Sequence, residues 1–472
     1  MSKKICVLAF AALLVVAFAG SSLAATKFTF QGTYMVRSFL DTNPTLNDDD
    51  SGDGSYAWFD HDLCMSTKFQ VSKRLWLTVD VRALGENIWG TTTSYKSWGG
   101  AGDGVDAAWV TGLGNRAQGN ISAPEIEKAY MNIMTGFGLF RVGRMTGGAA
   151  GLILFGHGQG PVGYTFAPFD NSQPRDRIWW NSMGMFGKQF SMLAVYEKKL
   201  ENTAWNGNAA GRGTSTQDYD GYFVLLNYKW KNGGVNTVLG KYVLNTANAT
   251  ATDNKIHIYL VNPSLHLVFG GFQLNFEMLY LPGEVDFAPW LEALGAEDID
   301  IDQLGYYADV QYNYGAGNVG LMYMFNPGDD PTTADEWETI MGAGDQFTPL
   351  YHAFSTYTDY NLNDGVNYAA VVLWWDHTLT ENLMMHAAYG WIKRDQRVYA
   401  VALDESDEYG SEFDFGLVYQ VMENLEYQVH FAYFMPGDWF KALKANAAGA
   451  ATTDGIEVDN TIQIDNTLTL AF

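Results

Sequence analysis

Residues 458–472 read VDNTIQIDNTLTLAF. Ile462, Ile464, Leu468, Leu470 and Phe472 share one parity, while Thr461, Gln463, Asp465, Thr467 and Thr469 share the other. Successive side chains on a strand point to opposite faces, so this is a ribbon about ten residues long with one apolar and one polar side. A strand that faces lipid outward and a lumen inward needs that alternation at about that length.

The period recurs along the chain. Phe28, Phe30, Tyr34 and Val36 alternate with Thr29, Gln31, Thr33 and Arg37, and Leu75, Leu77, Val79 and Val81 with Trp76, Thr78, Asp80 and Arg82. Phe272, Leu274, Phe276, Met278 and Tyr280 oppose Gln273, Asn275 and Glu277. Phe413, Phe415, Leu417 and Tyr419 oppose Glu412, Asp414 and Gln420; Leu425, Tyr427, Val429, Phe431 and Tyr433 oppose Glu426, Gln428 and His430. A soluble sandwich also alternates, but its turns recur without a systematic difference in length. Here eight short turns (71–74, 135–138, 184–187, 231–234, 269–271, 315–318, 379–382 and 422–424) separate nine long polar connections. Those lie near 38–55, 85–122, 146–173, 198–217, 245–253, 282–302, 327–365, 395–410 and 435–457. The count predicts an all-β transmembrane antiparallel barrel of 18 strands, with 16 as the nearest alternative. The even number puts both ends of the barrel on the short-turn, periplasmic side and the long loops outside the cell. YLPGEVDF at 280–287, FNPGDD at 325–330 and FMPGDWF at 434–440 each mark a strand turning into a long loop. Proline fixes φ there and glycine accepts positive φ. Trp58, Trp230, Tyr280, Trp374 and Trp439 suit an aromatic girdle at the membrane interfaces.

The first residues read as an address. Lys3 and Lys4 precede an apolar run from Val7 to Phe18, and Ser22-Leu23-Ala24 offers a small-x-small cleavage site. Residues 1–24 are therefore expected to be a secretory signal peptide, and 25–472 the barrel. Beyond it no run of 18 apolar residues occurs. The 472 residues carry 53 Asp+Glu against 28 Lys+Arg, a net charge of −25; without Lys3 and Lys4, 26 bases face 53 acids, or −27. That excess excludes nucleic acid as the expected partner, because counterion release needs clustered cations. Aromatics at 15% exclude a disordered chain. Cys6 leaves with the signal and Cys64 remains alone, which excludes chemistry on paired thiols.

Together these features resemble the Gram-negative outer-membrane porins, general and substrate-specific, across the whole mature chain. The terminal Phe472 resembles the assembly signal that the barrel-assembly machinery reads in such proteins. The loop 146–173, TGGAAGLILFGHGQGPVGYTFAPFDNSQ, is glycine-rich and apolar between Leu152 and Phe155, with His157 and Asp170 further along. It resembles in position the constriction loop of general porins, although a PEFGG-type motif is missing. The resemblance implies a water-filled pore for passive diffusion of ions and small hydrophilic solutes, an outer-membrane location among lipid and lipopolysaccharide, no cofactor, no enzymatic activity and, as porins often do, a homotrimer.

The polar phase supplies candidate pore residues. Arg82, Lys128, Arg141, Arg175 and Arg177 fall on neighbouring strands as a basic wall, and Glu277, Asp309, Glu412, Asp414 and Glu426 form an acidic wall on the opposite arc. Facing arrays of opposite sign set up a transverse field at a narrow point; the competing expectation is that the charges pair across strands and hold the wall together.

Other motifs read as coincidences. GQGPVG at 158–163 matches a dinucleotide fingerprint literally, but no βαβ unit surrounds it. Asp49, Asp53 and Asp60 sit at positions 1, 5 and 12 of a calcium-loop template, with Asp in place of the usual Glu. The eight histidines show no metal spacing, and no G-x-S-x-G marks a nucleophile. The alternative to a diffusion pore is an export or scaffold barrel, either a polysaccharide exporter or a sheath around a periplasmic multihaem cytochrome. With no C-x-x-C-H in the chain, any haem would belong to the partner.

Overall fold

The computed structural model of the chain describes residues 27–43, 46, 55–88, 125–145, 175–202, 217–247, 253–287, 297–330, 332–333, 335–338, 350, 367–396, 406–447, 453 and 456–472. The first strands are β1 (Lys27–Asp41), β2 (Tyr56–Ser72), β3 (Leu75–Ile88), β4 (Glu125–Thr135), β5 (Gly138–Met145) and β6 (Arg175–Asn181). Next come β7 (Phe190–Asn202), β8 (Gln217–Trp230), β9 (Gly233–Ala247), β10 (Asp253–Phe269), β11 (Phe272–Asp286), β12 (Ile299–Asn313) and β13 (Gly317–Asn326). A two-residue strand β14 (Glu336–Trp337) precedes β15 (Tyr368–Thr380), β16 (Leu383–Lys393), β17 (Glu408–Met422), β18 (Leu425–Pro436) and β19 (Thr461–Ala471).

Each long strand pairs antiparallel with its neighbours in sequence, and β13 pairs directly with β15. The sheet closes because β1 pairs with both β2 and β19. The eighteen long strands thus form a closed barrel. At the seam the Gly32 N–H donates to the Phe472 carbonyl at 2.7 Å, and the Phe472 N–H to the Gly32 carbonyl at 2.9 Å. A Cβ at Gly32 would come within 2.7 Å of the Phe472 ring, so this seat admits only glycine without movement.

All eight short turns form where the alternation breaks. Gly270 and Gly315, at φ 61° and 96°, supply the left-handed backbone that two of these turns need. The Asn313 side chain accepts from the Gly315 N–H at 3.0 Å and tightens the second.

The polarity of the wall is inverted relative to a soluble sheet. In β19 Thr461, Gln463 and Asp465 are buried, while Leu468 and Leu470 are exposed. Across β12, β13, β15 and β17 the exposed side chains are Val310, Leu321, Leu373 and Phe413, and their alternates Asp309, Met322, Val372 and Asp414 are buried. A closed barrel satisfies every ladder hydrogen bond internally, so such an apolar outer belt is stable in hydrocarbon. Among the described residues no helix is long and apolar enough to cross a membrane. An apolar belt around a closed barrel is the surface that a membrane crossing made by strands requires.

Two elements were not legible as periodicity. One is β14, which lies parallel against Asp300–Ile301 of β12. The other is a helix, α1 (Trp439–Ala447), inside the connection before β19. Its Trp439, Phe440, Ala442 and Ala445 are buried, and Phe440 packs edge-on against Tyr409 at 4.8 Å and Phe434 at 5.8 Å. Two girdle assignments change accordingly. Trp439 stacks on Tyr409 at 5.3 Å, and Trp374 is buried on the inward face, where its indole N–H donates to Asp309 at 3.1 Å. Trp230 is exposed at the short-turn end, as expected of a girdle residue.

Candidate functional site: the inward wall

The inward phase of β2 to β7 carries the charged groups. Asp60 and Asp62 on β2 receive arginines from either side. Arg37 of β1 donates to Asp60 through Nε and Nη2, both at 2.7 Å, and the pair is 1% and 0% exposed. Arg82 of β3 clamps Asp62 through Nε at 3.0 Å and Nη2 at 2.6 Å, and its Nη1 lies 3.8 Å from Glu127. Lys128 of β4 is 3.7 Å from Asp80, which also accepts from Ser66 at 2.6 Å. On β6 both Arg175 and Arg177 converge on Glu197 of β7, at 3.3 Å and 2.6 Å. Arg141 stands apart from this pairing: its guanidinium lies 4.6 Å from the Trp179 ring centroid and 5.6 Å from that of Tyr130. Arg144, out of phase, pairs outside the wall with Asp176.

The structure therefore brings Arg82, Lys128, Arg141, Arg175 and Arg177 onto one inward arc, and it interleaves most of them with acids. These side chains keep contact with solvent, at 18% for Arg82, 16% for Lys128, 28% for Arg175 and 13% for Arg177. An arginine between two strands can satisfy a carboxylate on either, and the period-two phase places those carboxylates opposite.

The far arc differs. Glu277, Asp309, Glu412 and Asp414 lie on the inward phase, but they are 0%, 0%, 0% and 2% exposed. Asp309 accepts from Asn275 at 3.2 Å as well as from Trp374; Glu277 accepts from Asn262 at 2.8 Å. They are embedded in an apolar cluster that includes Leu260, Leu279, Tyr307, Met322, Val372, Trp374, Ile392 and Phe434. Glu426, nearer the short turns, is half-buried and accepts from Gln428 at 2.6 Å. Four of the five acids thus sit in packed protein rather than on a water-facing wall; for Glu277 and Asp309, amides and an indole supply the hydrogen bonds that water would otherwise give.

Leu152, Phe155, His157 and Asp170 of the expected constriction loop, and Asp49 and Asp53 of the calcium template, lie outside the described residues. Asp60 is inside them, and its carboxylate pairs with Arg37 on the inward face. Beyond β13, Asp330 accepts from the Thr332 N–H at 2.8 Å and its hydroxyl at 2.7 Å, which holds that carboxyl below the usual carboxylate range.

Sequence reasoning missed Arg37, Asp60, Asp62 and Glu197 as wall residues. The signal was present for β2, where Asp60, Asp62, Cys64, Ser66 and Lys68 hold one parity. Glu197 was hidden in the polar run EKKLEN at the end of β7.

No family profile and no curated protein matches the chain in sequence. Solved structures do match in fold. Pseudomonas aeruginosa OpdK, solved with vanillate, superposes with a TM-score of 0.52 at 10% identity, covering 94% of this chain and 98% of that one. OccK11 (OpdR) and OccK3 (OpdO) of the same organism each give 0.50, at 12% and 11% identity, covering 94% of this chain and 96% and 95% of theirs. The chain therefore shares, over 94% of its length, the closed barrel fold of these Pseudomonas aeruginosa proteins.

Proposed function

We propose that the barrel is an outer-membrane channel through which ions and small hydrophilic solutes diffuse passively, along the arc formed by β2 to β7. The observation that carries this reading is the partly exposed charged wall of Arg82, Lys128, Arg175 and Arg177. A wall built for packing alone would be dry, like the opposite one. Eighteen strands are also enough to enclose more than side chains. Residues 1–24 would export the chain, Phe472 would serve its assembly, and 146–173 would narrow the path.

A second reading rests on the dry far arc. An interior packed with apolar groups from β10 to β18 suits a scaffold or export barrel that is closed until a partner arrives. Single-channel recording of the refolded protein in a salt gradient separates the two. Stable open steps support the diffusion channel, and silence from a folded barrel overturns it. The Glu197→Gln variant locates the path. It leaves Arg175 and Arg177 without a counter-charge, and a unit charge about 8 Å away in water contributes about 0.5 kcal/mol. A cation loses that attraction while an anion loses the matching repulsion, so the cation/anion permeability ratio should fall roughly fivefold. An unchanged reversal potential would place the path elsewhere.

A further inference from the structure

On the outer face, where β10 and β11 emerge toward the long loops, three side chains of metal-binding type converge. His257 stands directly opposite Glu284 in the β10–β11 register, and Asp286 follows two residues on along the same face. The His257 Nδ1 lies 3.4 Å from Glu284 Oε1, and one ligand atom from each of the three lies within 4.8 Å of the others. Two ligands of a tetrahedral zinc centre, each at about 2.0–2.1 Å from the metal, are separated by about 3.3 Å. The His257–Glu284 spacing already matches that value, and Asp286 has to close by at most about 1.5 Å. The ladder sets the positions of the three Cα atoms, so the site is organised by backbone pairing and not by a loop.

Its level along the barrel keeps it reachable. On β11 the outward phase runs Phe272, Leu274, Phe276, Met278 and Tyr280, and Tyr259 and Leu304 flank its end as exposed apolar groups. Eight residues of strand, tilted in the barrel, span roughly 20 Å of height, close to the whole apolar band. Glu284 comes four residues after Tyr280 and pairs in register with Asp300 of β12. The trio thus stands beyond the hydrocarbon, at the headgroup level.

We propose that His257, Glu284 and Asp286 form a binding site for a divalent cation of the zinc class. One imidazole with two carboxylates is a donor set that suits Zn2+ better than Mg2+, which prefers oxygen alone and dehydrates reluctantly. The competing account is an ion pair between protonated His257 and Glu284.

Zn2+ binding to the refolded full-length barrel in detergent, measured by competition with a chromophoric chelator, tests this. Wild type should hold one equivalent that His257→Ala and Glu284→Gln each weaken by at least about tenfold. Heat-dependent gel migration checks that each variant is folded; should one fail, the other still decides. Equal zinc stoichiometry and affinity in wild type and a folded variant would overturn the site and leave the ion pair.

Discussion

The most consequential single contact in the wall is Arg37 with Asp60. Both ends are buried and both bonds are short, so the pair has exchanged its hydration for one bidentate geometry. Removing one partner strands the other charge in dry protein. Arg37→Ala should lower the unfolding free energy in urea by about 3–5 kcal/mol, whereas joint replacement by Met at 37 and Leu at 60 should recover most of the loss. A single variant costing under about 1 kcal/mol would show that water reaches Asp60. At this scale the sequence was half legible. Phase alone put Arg82, Arg141, Arg175 and Arg177 on the inward face, but exposure depends on what packs across the lumen, which no strand's own sequence records. Hence Glu277 and Asp309 read as pore acids and are found under Tyr307 and Trp374 in a packed cluster.

At the scale of the strand, the solvent is what distinguishes the two faces. Leu321 and Leu373 are paired across β13 and β15, and at 54% and 55% exposure they rank among the most open of the described leucines. In a soluble protein an exposed leucine accepts arginine at little cost. Here it meets hydrocarbon near mid-strand. Leu373→Arg should destabilise the barrel in a lipid bilayer by about 2–4 kcal/mol; a change within about 0.5 kcal/mol would place that ring of residues outside the membrane. Strand positions, all eight short turns and the number of long strands were legible, because lipid and lumen impose the period of two on each strand independently. Neither β14 nor α1 was legible. A two-residue strand is too short to show a period, and the helix lies inside a polar connection where Trp439 looks like a girdle residue until Tyr409 is seen beneath it.

At the scale of the whole barrel, the inner surface is divided between a charged, partly wetted arc and an apolar, close-packed one. The outer surface presents an apolar belt. Lipid is a fluid and fits itself around any apolar shape, whereas the packed arc must be filled like a jigsaw, and deleting buried methyl groups there costs about 2–5 kcal/mol per truncated Leu, Ile or Met. Saturation mutagenesis scored by folded barrel at the cell surface should therefore show tolerance rising and falling every second residue along β10 to β18. Inward positions such as Met322 and Val372 should accept almost nothing, and outward positions such as Leu321 and Leu373 any apolar residue; equal tolerance on both faces would contradict the packed interior. The rhythm should flatten along β2 to β7, where water forgives changes of size. Over generations one half of the ring would then be free to drift and acquire new selectivity, while the other half stays fixed as the keel against which it varies.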